Sequence, residues 1–276
     1  MDLSVVIPAY NSEAYIADSV LTVSAFLDKK QLGFEIIVVD DGSHDRTSEI
    51  IAAIKIPNVK LITLPQNQGK FGALVAGMTT AQGRCKIFTD ADIPFDLEAI
   101  TYIHHLVNDR DVHLVIGDRA LAESRYAVDT SYLRRVTTFV FSGLVRMFVA
   151  GGLFDTQCGL KGFRGDIANV LFPMLNTSGF SGDVELLYIA LKYNLEIKRI
   201  PVRLRNAAPS SVRVLSHGLN MIRNIAFLKY YWLTGRYNSE GLEKLASQKY
   251  WIDQPNSTDH EKTASQGYLK NEQSFN

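Results

Sequence analysis

Short apolar runs alternate with helix-like segments along the first part of the chain, and this alternation limits the fold more than any other feature. The apolar runs cover residues 3–10, 34–41, 59–64, 85–90 and 112–119. The segments between them have apolar residues at helical spacing, and the inward face of the first segment is predicted to comprise Ala17, Val20, Leu21, Ser24 and Leu27. Short connections between alternating strands and helices predict an α/β fold, with a mostly parallel central sheet and helices on both faces.

Composition restricts the class of protein further. The chain has 276 residues, and its formal net charge is +0, so no overall field favours a nucleic-acid partner. Only two cysteines are present, which is too few for a disulfide framework and suits a reducing compartment. The N-terminus enters a strand at once and shows no signal peptide. The apolar segment 136–154 is interrupted by Arg146 and glycines, so it falls short of a spanning helix.

The C-terminal part combines a basic amphipathic segment with a polar tail. Residues 214–233 place apolar side chains on one helical face, end in an aromatic cluster and are interleaved with arginine and lysine. Such a helix suits the membrane interface, and the equally supported alternative is that it packs on the sheet or in a dimer. We predict a domain over 1–237 that includes this helix, followed by a poorly ordered tail over 238–276.

Polar side chains stand where several predicted strands end. They are Tyr10 and Asn11, with the neighbouring Pro8, at the end of the first run, Asp40 and Asp41 at the end of the second, Asp90 and Asp92 at the end of the fourth, and Asp118 and Arg119 at the end of the fifth. In a sheet of this kind the carboxyl ends of the strands form the ligand crevice. A single aspartate there is typical of a cap or turn, as expected for Asp45 and Asp96, but several converging positions indicate a binding site.

The stretch KIFTDADIP places Asp90 and Asp92 one residue apart at a strand end, where their like charges repel. The chain lacks the G-x-G-x-x-G pattern of dinucleotide sites, and QNQGKFGA does not match the phosphate-binding loop. If a nucleotide binds at this site, its diphosphate therefore needs a source of positive charge other than a glycine-rich loop. Mg²⁺ or Mn²⁺ between the two carboxylates and the phosphates would supply it and relieve the repulsion. The pattern predicts a metal and nucleotide-sugar site at Asp90 and Asp92.

A series of motifs supports this prediction. The chain contains, in order, VVIPAYN, EIIVVDDGSHDRT, NQGKFGAL, FTDADIP, GDR, DTQCGLKGF, SGDVELL and PVRL. Together they resemble the family 2 glycosyltransferases, which have the GT-A fold. DTQCGLKGF and the later SSVRVL are narrower and resemble the branch of dolichyl-phosphate glucosyltransferases and bacterial polyprenyl-phosphate glycosyltransferases. The resemblance extends over about residues 3–237.

The resemblance implies roles for individual residues. Pro8, Tyr10 and Asp40 would line the nucleotide, Lys70 would lie near the donor, and Asp90 would contact the ribose or the metal. The catalytic candidates are Asp92 as metal ligand, Asp155 near the acceptor or sugar, and Asp183, which stands where many inverting members have a general base. The pattern around Asp183 departs from the family because Gly182 replaces an acid.

A phosphate acceptor would explain that departure. A sugar hydroxyl needs a base, whereas a phosphomonoester is already largely dianionic at neutral pH and needs positive charge to hold it. The predicted acceptor-binding residues are Arg119, Arg134, Gln157, Ser211 and Arg213.

Three functions of different class follow. The first is transfer of a hexose from a nucleotide sugar, such as UDP-glucose or GDP-mannose, to a polyprenyl or dolichyl phosphate at the cytoplasmic face of a membrane. The second is a soluble family 2 enzyme with a hydroxyl acceptor and Asp183 as base. The third is a non-catalytic relative, against which the intact DAD and DTQCG motifs argue. The sequence leaves the oligomeric state open, with a homo-oligomer as one alternative.

Overall fold

A seven-stranded sheet with helices on both sides forms the body of the protein. The computed structural model describes residues 1–119, 121, 124–126, 158–177, 182–204 and 227–248. The strands are β1 (Leu3–Ala9), β2 (Phe34–Asp40), β3 (Val59–Thr63), β4 (Cys85–Phe88), β5 (Leu114–Asp118), β6 (Arg125–Tyr126), β7 (Lys161–Arg164), β8 (Ile197–Pro201) and β9 (Arg203–Leu204). The helices are α1 (Ile16–Lys29), α2 (Thr47–Ala53), α3 (Lys70–Thr80), α4 (Glu98–Asn108), α5 (Gly165–Leu171), α6 (Gly182–Lys192) and α7 (Glu240–Ser247), with a 3-10 turn at Phe172–Met174 and further helical residues at 227–233.

The strands follow the order β3-β2-β1-β4-β7-β5-β8 in the sheet. All neighbouring pairs are parallel except those of β7, which runs antiparallel to both β4 and β5. The prediction of a mostly parallel α/β sheet is therefore confirmed. The sequence did not predict β7, which lies between β4 and β5. Because of this insertion, Lys161–Phe163 of the DTQCGLKGF segment pair with β4, the strand that leads to Asp90.

Alternate residues of each central strand face opposite helical layers, as the pleat of a strand requires. Val6 packs in the cluster that contains Phe71 of α3 and Val184 of α6. Val5 and its neighbours on the other face pack with α1 and α4. Residues 34–40 are buried throughout, which explains why β2 reads as a continuous apolar run. The prediction of helices on both faces is thus confirmed.

The inward face of α1 differs from the predicted one. Leu21 is 46% exposed, and the buried residues of the helix are Ile16, Ser19, Val20, Val23, Ser24 and Leu27. The helix begins at Ile16, and its buried stripe follows Ile16, Val20, Val23 and Leu27 at three- and four-residue spacing. Leu21 lies about 100° round the helix from Val20, outside this stripe, so its inclusion was wrong.

The ordered fold continues past residue 237. Ser239 caps α7 by accepting a hydrogen bond from the Leu242 N–H at 3.2 Å, and Leu242 is fully buried. The Tyr193 hydroxyl donates to the Tyr237 carbonyl at 2.5 Å and accepts from the Ser239 N–H at 2.8 Å. The fold therefore includes the first part of the predicted tail as far as residue 248, and 249–276 lie outside the described residues.

Of the predicted amphipathic segment, the structure describes residues 227–233, which are helical. Tyr231 and Trp232 pack against the core, whereas Phe227, Tyr230 and Leu233 are 42%, 58% and 83% exposed. Within the described parts of the chain, no helix has the length and apolar character needed to cross a membrane.

Candidate active site

Hydrogen bonds between the loops after β1 and β2 build one wall of the site. The Asn11 N–H donates to Ser43 Oγ at 2.9 Å, and Asn11 Oδ1 accepts from the His44 N–H at 2.9 Å. Asn11 has a φ of 49°, a left-handed conformation that asparagine tolerates better than most residues. This connection places Tyr10, which is 43% exposed, beside His44. The centroids of the two rings lie 6.3 Å apart, and the rings meet edge to face. Pro8 lies just before it and is half-buried.

Asp40 and Asp41 at the end of β2 stabilise the turns that surround the site. Asp40 is 1% exposed, and its Oδ1 accepts from the Ser43 N–H at 3.1 Å. Asp41 Oδ1 accepts from the Gln68 N–H at 2.7 Å and so holds the loop that leads into α3. Burial, with a contribution from the charge of Asp40, raises the pKa of Asp41. In this structure Asp40 supports the loop, and its predicted contact with a nucleotide stays a prediction.

Lys70 and Asp90 form the central ion pair of the site. Lys70 Nζ lies 2.5 Å from Asp90 Oδ1, and the two side chains are 24% and 37% exposed. Burial opposes both charges, but the charge of Lys70, with smaller contributions from Lys161 and Arg119, holds the pKa of Asp90 below its usual value. Burial likewise acts against the charged form of Lys70, yet the charges of Asp90 and Asp183 raise its pKa. The predicted donor residues Lys70 and Asp90 are therefore in direct contact.

Asp92 is a partly buried carboxylate close to this pair. Burial and then the charge of Asp90 raise the pKa of Asp92. The backbone turns sharply over residues 90–93, with Ile93 at a φ of 42° and its N–H donating to the Asp90 carbonyl at 3.1 Å. Two adjacent carboxylates of which one is electrostatically disfavoured form a donor set that suits a hard divalent cation.

Asp90 and Asp92 would not surround such a cation by themselves. In the part of the chain that the structure describes, no cluster of three or more histidine, cysteine, aspartate or glutamate side chains could hold a metal ion. Mg²⁺ commonly uses one or two carboxylates and takes its other ligands from water and substrate phosphates. The residues present therefore fit a cation that binds together with a diphosphate.

Lys161 is a site residue that the sequence analysis did not single out. Its Nζ lies 2.5 Å from Asp183 Oδ1 and donates to the Cys158 carbonyl at 2.7 Å. The side chains of Lys161 and Asp183 are 0% and 4% exposed. The sequence did not predict a buried role for this lysine of the DTQCGLKGF segment, because lysine is rarely buried in proteins. Asp183 is thus engaged in a buried ion pair.

The two lysines share an aromatic neighbour at the end of β4. The ammonium groups of Lys70 and Lys161 lie 5.9 and 5.3 Å from the centroid of the Phe88 ring. Two acids and two lysines from α3, β7, α6 and the loop after β4 thus form one local charge network around this ring. We call the set of Lys70, Asp90, Lys161 and Asp183 the four-charge network.

Gly159 contacts the Asp90 carboxylate through its backbone. A Cβ atom built on Gly159 would overlap Asp90, with Oδ2 as its nearest atom. The glycine of the DTQCG motif therefore has a steric cause, since only a residue without a side chain lets the carboxylate lie there.

We expect Gly159→Ala to lower the free energy of unfolding by about 1–3 kcal/mol, because the new methyl group must displace the Asp90 carboxylate or the backbone. Gly241→Ala is the matched control. A Cβ there meets only ordinary van der Waals contacts at 3.7 Å or more within α7, so the variant should be neutral or slightly stabilised. Urea denaturation measures both, and equal stability of the two variants would contradict the assigned contact.

Gly182, which replaces the acid expected from the family pattern, also has a packing cause. A Cβ on Gly182 would overlap the Phe71 ring of α3. The absence of an acid before Asp183 is therefore explained by close helix packing, and it no longer argues independently for a phosphate acceptor.

Of the predicted acceptor residues, the structure describes Arg119. It directly follows Asp118, whose side chain is 1% exposed and whose Oδ2 accepts from Arg199 Nε at 2.6 Å. The positive charge of Arg119 is close enough to contribute to the lowered pKa of Asp90. Arg134, Asp155, Gln157, Ser211 and Arg213 lie outside the described residues.

The sheet order and the acidic site at the strand ends define an α/β protein with the GT-A fold of nucleotide-sugar transferases. The crystal structure of glucosyl-3-phosphoglycerate synthase from Mycobacterium tuberculosis in complex with Mn²⁺, UDP and glucosyl-3-phosphoglycerate superposes with a TM-score of 0.58. The two chains are 21% identical, and the match covers 85% of this chain and 79% of that chain. At this identity the likeness shows the fold.

The family follows from sequence comparison. The model of "Glycosyl transferase family 2" matches residues 4–172, and the chain belongs to this family. A dolichyl-phosphate beta-glucosyltransferase from Dictyostelium discoideum is 32% identical over 84% of this chain and 75% of its own length. One from Homo sapiens is 31% identical over 88% of this chain and 79% of its own length. The resemblance predicted from the motifs is therefore confirmed.

Proposed function

We propose that this chain transfers a hexose, glucose in the first instance, from a nucleotide sugar to a dolichyl or polyprenyl phosphate with inversion at the anomeric carbon. The observation that carries the proposal is the identity of 31–32% over most of the chain with proteins named dolichyl-phosphate beta-glucosyltransferases. A β-linked product from an α-linked nucleotide sugar is the outcome of a single displacement. In that step an acceptor oxygen bonds to the anomeric carbon as the bond to the nucleoside diphosphate breaks.

The donor half of the site is assigned to the strand ends of β1, β2 and β4. Pro8, Tyr10 and Asp40 would line the nucleotide, and Asp90 and Asp92 would hold Mg²⁺ or Mn²⁺ against the diphosphate. A divalent cation, when bound, would neutralise the charge that develops on the leaving diphosphate. Lys70 supports this assignment because its ammonium group lies directly beside Asp90. The Mn²⁺ and UDP of the glucosyl-3-phosphoglycerate synthase structure show that the fold accommodates such a pair in that protein.

The acceptor half of the site is proposed to bind a phosphate. Asp183 contacts Lys161 in a buried ion pair at 2.5 Å, so the carboxylate that a hydroxyl acceptor would require as a base already has a partner. A phosphate acceptor has no such requirement, because its oxygens are already charged. Arg119, whose charge reaches Asp90, is the described arginine that we assign to that phosphate. Arg134, Gln157, Ser211 and Arg213 remain proposed acceptor contacts, and Asp155 a proposed catalytic residue.

The decisive assay supplies labelled UDP-glucose and GDP-mannose with three acceptors in detergent: a polyprenyl phosphate, the corresponding free polyprenol and a panel of soluble sugars. Transfer to the phosphate alone, with a β-linked product by the NMR coupling constant, would support the proposal. Transfer to a soluble hydroxyl acceptor would instead assign the chain to the hydroxyl-acceptor class, in which Asp183 is the base.

In that assay Arg119→Ala is expected to lower the rate of transfer to the phosphate by about tenfold to a hundredfold, because a charge-assisted contact to the phosphate is lost. Asp183→Asn should reduce the rate less. Arg84→Ala is the matched control, since Arg84 is exposed next to the amino end of β4 and should leave the rate unchanged. An inactive Asp183→Asn beside an active Arg119→Ala would reverse the assignment.

We further propose that the protein acts at the cytoplasmic face of a membrane and contacts the lipid through residues 227–236. Three large apolar side chains at Phe227, Tyr230 and Leu233 are exposed. Lys229 lies in the same helical stretch, and Arg236 follows it, with its guanidinium carbon 4.8 Å from the centroid of the Tyr231 ring. Apolar and aromatic side chains interleaved with basic ones are typical of segments that lie in a membrane interface.

Leu233→Ser is expected to weaken binding to phosphatidylglycerol-containing vesicles by about tenfold, because burial of a leucine side chain in the acyl region is lost. Leu21→Ser on α1 is the matched control, since Leu21 is also an exposed leucine at 46%. Vesicle co-sedimentation measures both variants. If Leu21→Ser and Leu233→Ser bind equally well, the C-terminal surface does not contact lipid.

A further inference from the structure

The carboxylate of Asp90 has one oxygen against the backbone and the other against a lysine. Oδ2 and the carboxyl carbon are the atoms nearest to a Cβ built on Gly159, so the chain covers that side. Oδ1 is the atom that Lys70 Nζ contacts at 2.5 Å. The Asp90 side chain is 37% exposed, so a divalent cation that approaches it from solvent comes close to the ammonium group of Lys70.

The ammonium group and a divalent cation repel each other strongly when both contact the same carboxylate. The Gly159 backbone lies next to β7, which pairs with β4 and is buried throughout, so that side has little freedom to move. Lys70 is the first residue of α3, and its side chain is 24% exposed. Of the two groups that cover Asp90, the lysine is the one that can leave.

We propose that Lys70 is an exchangeable counterion, which neutralises Asp90 in the empty site and transfers to the diphosphate when nucleotide and cation bind together. This inference rests on the proposed cation-dependent donor site. In the empty site Lys70 substitutes for the positive charge of the cation. In the occupied site Asp90 and Asp92 would hold the cation, and the ammonium group of Lys70 would contact the phosphates instead of Asp90.

Lys161 shows by contrast what a permanent counterion looks like in the same network. It is fully buried, it contacts Asp183 at 2.5 Å, and its Nζ also donates to the Cys158 carbonyl at 2.7 Å. Lys70 is more exposed, at 24%, and the negative charge of Asp183 acts on it in addition to that of Asp90. The attraction of Asp183 would therefore remain when the ammonium group leaves Asp90.

A binding order follows from the exchange. The cation alone competes with Lys70 and binds weakly, whereas the diphosphate attracts Lys70 away and exposes Asp90. Nucleotide and cation therefore promote each other's binding through Lys70, in addition to any direct contact between them.

The test measures Mn²⁺ binding by electron paramagnetic resonance and UDP or GDP binding by calorimetry, on the full chain. We expect Lys70→Met to bind Mn²⁺ alone about tenfold more tightly than the wild type, because the competing charge is absent. The same variant should bind the nucleotide about tenfold more weakly in saturating Mn²⁺, because the phosphates lose a cationic contact. Lys70→Arg keeps the charge and should bind Mn²⁺ alone as weakly as the wild type.

Lys60→Met is the matched control, since Lys60 pairs with Glu35 on a strand edge and is 48% exposed. It should leave both affinities unchanged. Unaltered or weaker binding of Mn²⁺ alone by Lys70→Met would overturn the inference, and Lys70→Gln repeats the measurement if the methionine variant unfolds. If the wild type binds neither nucleotide in the presence of Mn²⁺, the proposed function itself is wrong. If the wild type binds nucleotide in the presence of Mn²⁺ and Lys70→Met has the same affinities as the wild type, only the proposal of counterion exchange is wrong.

Discussion

Replacing Asp92 by alanine is expected to make nucleoside diphosphate binding independent of divalent cations and to lower the rate of sugar transfer by about a thousandfold. Asp92 is the carboxylate whose pKa is raised by burial and by the charge of Asp90, so a cation is the partner that would stabilise its charged form. Losing the cation removes several kcal/mol of charge stabilisation from the leaving diphosphate, which corresponds to about three orders of magnitude in rate.

Calorimetric titration of UDP and GDP in Mn²⁺ and in EDTA checks this expectation. The wild type should bind the correct nucleotide much more tightly in Mn²⁺, and Asp92→Ala should bind it equally in both. Asp96→Ala is the control in the same loop, because the Asp96 carboxylate accepts from the Glu98 N–H at 3.3 Å next to α4. Its loss should affect stability by about 1 kcal/mol and leave binding unchanged. Metal-independent binding by the wild type would contradict the assignment.

The alternation of strands and helices was predictable because each element has a local signal. β1, β2 and β4 are almost entirely buried, so their apolar runs are continuous, and the helices between them have a periodic apolar stripe. β7 has no such signal. It consists of Lys161–Arg164, two basic residues around Gly162 and Phe163, and its place between β4 and β5 depends on pairing with strands more than 40 residues earlier in the chain.

The site was predictable to the extent that its residues follow strand ends. Asp90 and Lys70 were both assigned to the donor site, and the structure brings them into contact. Lys161 was not assigned, because its role depends on burial and on a partner 22 residues later in the chain. Gly182 was given a chemical explanation, whereas its cause is the Phe71 ring of another helix. Contacts between distant segments are what local patterns do not contain.

Replacing Lys161 by methionine is expected to lower the free energy of unfolding by about 3–5 kcal/mol, since it leaves the Asp183 carboxylate buried without its counterion. The double variant Lys161→Met with Asp183→Leu should recover most of this loss, because two apolar side chains replace the whole pair. Lys30→Met is the matched control. Lys30 pairs with Glu98 at 2.8 Å, but the two side chains are 35% and 36% exposed, so its loss should cost less than about 1 kcal/mol.

Urea denaturation followed by circular dichroism measures the free energy of unfolding of the wild type and the three variants. The result bears on the reaction as well as on stability. A large loss in Lys161→Met, recovered in the double variant, means that Asp183 is held as a charged partner of Lys161. That result favours an acceptor that needs no base. If Lys161→Met is as stable as the wild type, Asp183 tolerates the loss of its counterion by taking up a proton or reaching solvent. A carboxylate with that freedom is what a general base requires, and the hydroxyl-acceptor class would then be the better assignment.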